Sequence, residues 1–491
     1  MFSIILLCVF FAFMIGVGVW GMRRTSSLND FFLGGRSIGP WVSAVAYGTT
    51  YFSAVLFIGF AGKLGWAYGL DALWIAGGNA VFGSLAAWLV LGRRTRRMTK
   101  NLDVMTMPEF LQERYDGKYL KIISALIIFV FLIPYSASVF KGLGYLFEAN
   151  FHISYDTALL IMIGITGLYL VLGGYFAIAF TDFIQGIIMV GGSILMVCLL
   201  VQKGGGLTEV LATIPVRHAL HVPAAKQPGT LLLCALVFMT SFGVWGLPQM
   251  VQKFYAIKNE SLITKAALAT CLFALIIGFA AYFTGSMTHL FYDAPPMTSS
   301  GAPDFDRLIP DMLKTYLPEA LMAVILVLVL SASMSTLSSL VLVSASAVAI
   351  DLYKGHINPG VSSRKSVALI RILSALFIVF SFVIARYDFD IIITLMSLSW
   401  GAVAGAFMAP YIYGLFWKGA TKAAVKAGMA VGLGTNIVLF FVLGPAKSPI
   451  AASAAMILPF AVIPLVSLFT RPPRQDIIAQ AFGRNATGRA L

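Results

Sequence analysis

The sequence predicts an all-α polytopic membrane protein with thirteen transmembrane helices, and three observations lead to this fold class. Of the 491 residues, 59% are hydrophobic and only 11% are charged, whereas soluble domains carry about a quarter charged residues. Many apolar runs reach the roughly 20 residues that a helix needs to cross a bilayer. Basic residues gather in alternate connections between those runs, as expected for a chain that passes back and forth across a membrane.

Thirteen candidate spans follow one another along the chain. The first has no basic stretch before it, and Arg23 and Arg24 follow it in place of a small-residue cleavage site. We therefore interpret it as an uncleaved helix and not as a signal peptide. The predicted spans cover residues 2–22, 41–63, 69–92, 120–147, 157–174, 178–201, 230–252, 266–291, 318–350, 367–386, 389–416, 424–443 and 449–469.

The distribution of charge orients these spans, because cytoplasmic loops carry an excess of Lys and Arg. Most of the 34 basic residues fall on one side if the N-terminus lies outside and the C-terminus lies in the cytoplasm. Helix ends and loops on that side account for the net charge of +14, so no nucleic-acid partner is predicted. We expect an integral, multi-pass protein of the cytoplasmic (inner) or plasma membrane, with the lipid bilayer as its surroundings.

Two spans contain interruptions near their middles. In SAVAYGTTYFSAVLFIGFAG (43–62), Gly48 is followed by polar residues, and FMTSFGVWGLPQM (238–250) contains Gly243, Gly246 and Pro248. Proline removes a backbone donor and clashes with the preceding turn, which distorts a helix. Broken helices at corresponding positions of two units are typical of transporters built from inverted repeats, with the binding site near the breaks.

The spacing of the two breaks divides the chain into repeats of five spans each. An odd number of spans gives the two repeats opposite orientations in the membrane. The predicted divisions are 1–40 (first transmembrane helix and cytoplasmic loop), 41–201 (first repeat), 202–229 (extracytoplasmic loop), 230–416 (second repeat), 417–470 (last two helices) and 471–491 (cytoplasmic tail).

A run of hydroxyls, SASMSTLSSL (331–340), lies in the middle of the ninth span. Helical spacing places Ala332, Ser335, Thr336 and Ser339 on one face. One or two hydroxyls in a membrane helix commonly bond the carbonyls of their own helix or allow close packing. Six hydroxyls in ten residues, opposite a broken helix, indicate instead an oxygen-lined site for a cation or a polar solute.

The stretch GGYFAIAFTDFIQG (173–186) places Asp182 at the start of the sixth span. An acid at that position can stabilise the positive end of the helix dipole. It can also belong to an ion pathway through the protein, and the residues alone do not separate the two interpretations.

These motifs together resemble the sodium/solute symporter family, which includes sodium/proline, sodium/pantothenate and sodium/sugar symporters. The resemblance covers nearly the whole chain and implies the leucine-transporter-like 5+5 inverted repeat, with one helix before it and two after. The motifs that carry it are DFFLGGRSIGP (30–40), YGTTYFSA (47–54), GGYFAIAFTDFIQG (173–186), FGVWGLPQ (242–249) and SASMSTLSSLVLVSASAVAIDLY (331–353).

The resemblance also implies site residues, with Na⁺ as the co-transported ion. Carbonyl groups from the first broken helix and the ninth span, together with two hydroxyls, match the family's sodium site: Thr49, Phe52, Ala332, Ser335 and Thr336. Asp182 matches an acid that the family places on the sodium exit route. Candidates for substrate binding between the two breaks are Thr50, Tyr51, Ser53, Tyr135, Trp245 and Gln249.

We therefore expect a sodium-coupled symporter, not an enzyme, that imports a small organic solute by alternating access without an obligate protein partner. The proline branch has an Asp where this chain has Tyr51 and a Trp where it has Thr240, while FGVWGLPQ looks closer to the pantothenate-like branch. Half-helix N-termini favour anionic groups, so an amino acid, a pantothenate-like compound or a monocarboxylate is preferred.

Four alternatives remain open from the sequence, and one of them is a sensor or receptor role without transport. A sodium/sugar symporter would have the same fold. A membrane-embedded enzyme would need a catalytic constellation, but the five histidines fall in loops or at helix ends. A twelve-helix transporter with two parallel halves would place a long loop at the centre, whereas the longest loops here are 93–119 and 292–317.

Overall fold

The computed structural model describes residues 2–24, 27–172, 175–298, 301–387 and 391–483. Within these ranges the chain is helical, and β-structure is limited to two isolated bridges. Eleven helices in the described part of the chain are long and apolar enough to cross a membrane. Gly173 and Gly174 of the 173–186 motif, and the first residues of the predicted span 389–416, lie outside the described residues.

The helices follow the predicted spans with boundaries that shift by a few residues. The long ones are Phe2–Arg24, Lys118–Phe151, Tyr155–Leu172, Tyr175–Lys203, Ile263–Phe291, Glu319–Ser346, Ser363–Arg386, Ile392–Phe416, Lys422–Leu443 and Ser448–Leu468. Shorter helices in the connections are Leu28–Leu33, Arg93–Asn101, Met107–Tyr115, Leu207–His221, Phe305–Tyr316 and Gln475–Phe482.

One helical run, Val55–Asn101, covers 47 residues and includes the end of the second predicted span and all of the third. A straight helix of that length would measure about 70 Å, more than twice the roughly 30 Å of a bilayer core. The chain turns at Gly69, which has φ 54° and ψ −132°, and helical structure resumes at Leu73. The left-handed φ at this turn favours glycine.

The second predicted span is a broken helix, hereafter the first broken helix. Its first half is Pro40–Tyr51, and its second half runs through Val55–Phe60 and Ala61–Tyr68. The break begins at Phe52, whose φ of −111° and ψ of 119° are extended. Gly48 stays helical: a Cβ there would collide with the ring of Phe273, so this glycine allows two helices to approach closely.

The seventh predicted span is the second broken helix, with halves Thr230–Gly243 and Pro248–Ala256. The distortion lies in residues 244–247, ahead of Pro248. Proline occupies the first position of the second half, where its missing N–H costs nothing. A Cβ at Gly246 would lie 2.8 Å from the Met408 nitrogen, so the unwound segment packs directly on the backbone of Ile392–Phe416.

Two helices form the interior of the molecule. In the most apolar window of each, 94% of residues are buried for Ile392–Phe416 and 83% for Glu319–Ile357, against 28% for Ser363–Arg386. The interior pair therefore packs against protein on all sides, whereas the peripheral helices expose one face. Both breaks lie against this interior pair, which places the candidate site in the centre of the bundle.

Candidate functional site

An oxygen-rich cluster lies where the end of Pro40–Tyr51 meets Glu319–Ser346, hereafter the serine-rich helix. The Thr336 hydroxyl lies 3.2 Å from the Thr49 carbonyl oxygen, 3.1 Å from that of Thr50 and 3.2 Å from that of Ala332. A hydroxyl has one proton to donate, so it can serve only one of three acceptors at a time. The cluster offers more lone pairs than protons, an arrangement that suits a bound cation.

The carbonyls of this cluster are available because the helix ends. The last four carbonyls of a helix have no partner within it. In an unbroken helix the Ala54 N–H would donate to Thr50, but here it donates to the Ser333 hydroxyl at 3.2 Å. The break thus frees backbone oxygens on the side that faces Thr336.

The five residues predicted to hold the cation do not all lie at the same distance from the cluster. Thr49, Ala332 and Thr336 converge, and Ser335 reaches the cluster by donating to the Thr49 hydroxyl at 2.7 Å. Phe52 is buried in the unwound segment, with its ring stacked on Tyr51 at a centroid distance of 4.4 Å. The role of all five predicted residues as sodium ligands stays a prediction.

Two of the remaining hydroxyls of the run bond carbonyls of their own helix. Ser338 donates to the Ser335 carbonyl at 2.9 Å, and Ser333 donates to the Val329 carbonyl at 2.7 Å. Ser333 also accepts the Ala54 N–H, so it stabilises the break from the opposite helix. The sequence gives no signal for this second role, because it depends on how the two helices meet.

A buried ion pair lies next to the oxygen cluster. The Lys253 ammonium is 3.5 Å from the Asp182 carboxylate, and both side chains have no exposed surface. Lys253 also donates to the Ser339 hydroxyl at 3.1 Å, and Ser339 lies 3.1 Å from the Thr50 hydroxyl. A chain of polar contacts therefore joins Asp182 to the first broken helix.

The structure corrects one of the two interpretations of Asp182. The helix Tyr175–Lys203 begins before the predicted boundary, so Asp182 lies about two turns inside it. A dipole interaction acts only within the first turn, and it does not account for this carboxylate. The Oδ1 atom of Asp182 is buried without a hydrogen-bond partner among the described residues.

A small cavity lies beside the break of the first broken helix. Its volume is about 20 Å³, close to that needed by a single water molecule. Ligand pockets in proteins are typically about 300–1,000 Å³, so binding of an organic solute requires these walls to move apart. The cavity is lined by Tyr51, Phe52, Ser53, Val55, Leu56, Phe60, Asn79, Tyr135, Thr240, Tyr282, Met396 and Trp400.

Two of the lining residues connect the two broken helices. The Tyr51 hydroxyl donates to the Thr240 carbonyl at 2.6 Å, and the Thr240 hydroxyl lies 2.8 Å from Asn79 Oδ1. Tyr51 and Thr240 are the positions at which the sequence is predicted to depart from the proline branch. They contact each other, so the two departures form one local change in the wall of the cavity.

The structure places three of the six candidate substrate residues in the cavity wall and three elsewhere. Tyr51, Ser53 and Tyr135 line the cavity. The Thr50 hydroxyl faces Ser339, away from it. Gln249 is buried but does not line the cavity, and its Oε1 has no hydrogen-bond partner among the described residues.

Trp245 is also displaced from the predicted place. It belongs to the unwound segment 244–247, and its indole N–H donates to the Phe82 carbonyl at 3.0 Å while its ring contacts Phe242. The tryptophan in the cavity wall is Trp400, which is buried and packs edge-to-face on Tyr135. A tryptophan among the small residues of SLSWGAVAG (397–405) is the signal that could have identified it.

Three histidines, two from Leu207–His221 and one from Ile263–Phe291, meet at one end of the bundle. His221 Nδ1 lies 3.0 Å from His289 Nδ1, and the His218 ring packs against that of His289. Both His218 and His289 bond backbone carbonyls, of Ala67 and Trp66 respectively. No group of three or more His, Cys, Asp or Glu suited to a metal ion occurs among the described residues.

A family model described as the sodium:solute symporter family matches residues 31–432. The chain is 30% identical over 428 residues to the high-affinity proline transporter PutP of Bacillus subtilis (strain 168), covering 87% of this chain and 89% of that protein. It is 29% identical over 443 residues to the sodium/proline symporter of Salmonella typhimurium (strain LT2), covering 88% of this chain and 86% of that protein.

Among solved structures, the chain resembles a Na⁺-coupled sialic acid symporter in its substrate-bound outward-open state. The TM-score is 0.78 at 18% sequence identity, and the match covers 96% of this chain and 98% of that one. At this identity the likeness concerns the fold alone. The all-helical, multi-pass membrane architecture expected from the sequence is thereby confirmed.

Proposed function

The chain belongs to the sodium:solute symporter family, and from that premise we propose that it couples the inward movement of Na⁺ to the import of a small carboxylate-bearing solute. The observation that carries the proposal is the set of three carbonyl oxygens around the Thr336 hydroxyl. Na⁺ placed there would bridge the first broken helix to the serine-rich helix. Thr49, Phe52, Ala332, Ser335 and Thr336 are its proposed ligands.

The family and the relatives are transporters, so the chain is a transporter and not a membrane-embedded enzyme. A small-molecule substrate and Na⁺ are its ligands, and the membrane is its location. The identity of the solute and the route of the ion through the protein are proposals that go beyond family membership.

We propose thirteen membrane passages, arranged as a 5+5 inverted repeat (41–201 and 230–416) with one helix before and two after. The turn at Gly69 supports two passages within Val55–Asn101. The two broken helices, each with an unwound segment against the interior pair, support the repeat. Residues 202–229 would then form an outer connection that includes the whole helix Leu207–His221.

The proposed orientation predicts all-or-none labelling of cysteines placed in the connections. In a variant with the four native cysteines replaced, a cysteine at Lys226 should react with an impermeant maleimide added to intact cells. A cysteine at Lys118 should react only after the membrane is opened, because the basic side is proposed to face the cytoplasm. Reaction of both residues in intact cells would contradict the thirteen-passage topology.

Transport would follow alternating access. Na⁺ entering from the outside would stabilise the state in which the first broken helix and the serine-rich helix are held together, which forms the solute pocket beside them. Inward release of both ligands then follows when the bundle rocks. The membrane potential drives this cycle by about 2.3 kcal/mol per charge per 100 mV.

The cavity supports a carboxylate-bearing solute with an apolar portion. Among the described residues no Lys or Arg lines it, and aromatic rings from Tyr51, Tyr135 and Trp400 form much of the wall. The second half of the first broken helix begins at the cavity with Val55, and the positive end of a half-helix favours an anionic group. The solute would place its carboxylate there and its apolar portion among the rings.

Uptake into proteoliposomes tests the proposal. An inward Na⁺ gradient should drive accumulation of a labelled solute, and an equal K⁺ gradient should not. Proline, pantothenate, short monocarboxylates and a sugar form the first panel of solutes. Sodium-driven accumulation of the sugar alone would overturn the carboxylate assignment while leaving sodium coupling intact.

Tyr51→Phe should weaken solute binding without a matching change in sodium dependence. The substitution removes the hydroxyl that bonds the Thr240 carbonyl at 2.6 Å and leaves that buried carbonyl without its partner. A loss of about 1 kcal/mol or more would raise the half-saturating solute concentration by at least about five-fold. Initial uptake rates at saturating Na⁺ measure this change.

Tyr282→Phe is the matched control, because Tyr282 lines the same cavity but its hydroxyl has no hydrogen-bond partner among the described residues. We expect it to transport with nearly unchanged solute dependence. Equal effects of the two substitutions would show that the bridge between Tyr51 and Thr240 has no special role in solute binding.

A further inference from the structure

A basic groove lies at the end of the bundle that carries the connections rich in Lys and Arg. It has a volume of about 740 Å³ and is formed by the end of Met107–Tyr115, the start of Lys422–Leu443 and residues 469–474. Five cationic side chains line it, namely Arg114, Lys422, Lys426, Arg471 and Arg474.

The charges of the groove are not balanced by nearby carboxylates. Asp116 lines it and lies 3.8 Å from Arg474, which also pairs with Asp476 at 2.6 Å. For Lys422, Lys426 and Arg471, no salt bridge occurs within the described ranges. The groove therefore keeps an excess of positive charge that an anionic ligand would neutralise.

Arg114 gives this charge a fixed position inside the protein. The side chain is fully buried, and its Nε and Nη2 atoms donate to the carbonyls of Gly414 and Trp417, each at 2.9 Å. The third nitrogen, Nη1, is buried without a partner among the described residues. A buried donor left unpaired costs free energy, which an acceptor bound in the groove would recover.

The start of Lys422–Leu443 adds a second source of positive potential. Thr421 caps the helix by accepting the Ala424 N–H at 3.2 Å, whereas Lys422 and Ala423 line the groove. The first amides of a helix lack partners within it, and the N-terminal end attracts phosphate groups. A phosphate in the groove would meet this helix end as well as the side chains.

An exposed apolar surface adjoins the charged one. Phe469 lines the groove and is 86% exposed, and Leu468, at the end of Ser448–Leu468, is 75% exposed. A soluble anion would make no use of this surface, but a lipid would, because its headgroup is charged and its chains are apolar. Basic pockets of this kind between membrane helices bind anionic lipid headgroups.

We propose that this groove binds the phosphate headgroup of an anionic phospholipid from the adjacent leaflet, with an acyl chain along Phe469. Topology alone accounts for basic residues on this side of the membrane. It does not account for their convergence on one groove, for the unpaired nitrogen of a buried arginine or for the adjoining aromatic side chain.

The test measures the thermal unfolding midpoint of the purified, full-length protein in detergent under three conditions. The additive is phosphatidylglycerol in the first, phosphatidylcholine in the second, and a mixture of the soluble anions glycerol phosphate and inorganic phosphate in the third. The groove variant carries Lys422→Gln, Lys426→Gln and Arg471→Gln. A control variant removes the same charge at Lys354, Arg364 and Lys365, which do not line the groove.

Phosphatidylglycerol should raise the midpoint of the wild type and of the control variant by several degrees more than phosphatidylcholine does. That difference should vanish in the groove variant, whose midpoint in phosphatidylcholine should match the wild type. The same difference in all three proteins, or none in the wild type, would overturn the proposal. An equal, groove-dependent rise with the soluble phosphates would assign the groove to a soluble anion and overturn the lipid assignment.

Discussion

Thr336→Ala should abolish sodium-stimulated uptake at ordinary sodium concentrations while leaving the protein folded. The hydroxyl of Thr336 lies within 3.2 Å of three carbonyl oxygens, and it is one of the oxygens proposed to hold the ion. Interactions of a hydroxyl with a charged group contribute about 1.5–3 kcal/mol, so the half-saturating Na⁺ concentration should rise about 10- to 100-fold. Uptake measured against external Na⁺ in proteoliposomes gives this number directly.

Ser338→Ala provides the matched control for Thr336→Ala. It removes a hydroxyl from the same helix two residues away, but that hydroxyl donates to the Ser335 carbonyl of its own helix. We expect sodium dependence close to that of the wild type. Normal sodium dependence in the Thr336 variant, or the same loss of sodium-stimulated uptake in both variants, would contradict the assignment of the cation site.

The helical fold and the two breaks could be predicted from sequence because they depend on local features. Apolar runs of sufficient length have few alternatives to crossing a bilayer as helices, since unsatisfied backbone groups are costly there. Gly and Pro near the middle of a span indicate a break, although not its position. The unwound residues are 52–53 and 244–247, after Gly48 and before Pro248, because tertiary packing selects which carbonyls are released.

The contents of the site were predictable only where a motif supplied them. The hydroxyl face of the serine-rich helix could be recognised from spacing, and Ala332, Ser335 and Thr336 lie at or beside the cluster. The solute candidates were weaker, because an unwound segment does not follow helical periodicity. Trp245 consequently contacts Phe82 and Phe242, while Trp400, from a helix far along the chain, enters the cavity wall.

The buried pair of Asp182 and Lys253 could not be predicted from the sequence. Lys253 follows the second break, where it reads as an ordinary basic residue near a membrane boundary. Only the tertiary fold, in which Pro248–Ala256 and Tyr175–Lys203 both pack on Pro40–Tyr51, brings its ammonium within 3.5 Å of the carboxylate. The proposed exit residue for Na⁺ thus already has a cationic partner, and any passing ion must share Asp182 with that ammonium.

The second prediction with a large effect concerns the pair of Asp182 and Lys253, whose removal should change both the thermal stability and the sodium-driven uptake. Removing one partner of a buried ion pair costs about 3–5 kcal/mol, whereas replacing both is often nearly neutral. Asp182→Asn and Lys253→Met should each lower the thermal unfolding midpoint in detergent markedly, and the double variant should recover most of the loss. Sodium-driven uptake should not return in the double variant, because the carboxylate proposed to guide the ion is still missing.

Lys253→Met alone separates an ion-guiding role of Asp182 from a purely structural one. With the ammonium gone, Na⁺ can take its place beside the carboxylate, so added Na⁺ should restore part of the lost midpoint and K⁺ should not. Lys141→Met is the control: Lys141, in the helix Lys118–Phe151, forms another buried pair, 3.3 Å from Asp306. Burial raises the pKa of Asp306, and Lys141 opposes that shift, so its loss should also destabilise the protein. Because Asp306 caps Ile392–Phe416 through the Ile392 N–H at 3.1 Å and is assigned no ion, sodium should not rescue that variant.

Equal rescue of both variants by Na⁺, or recovery of full uptake in the double variant, would show that the pair of Asp182 and Lys253 serves the fold and not the ion.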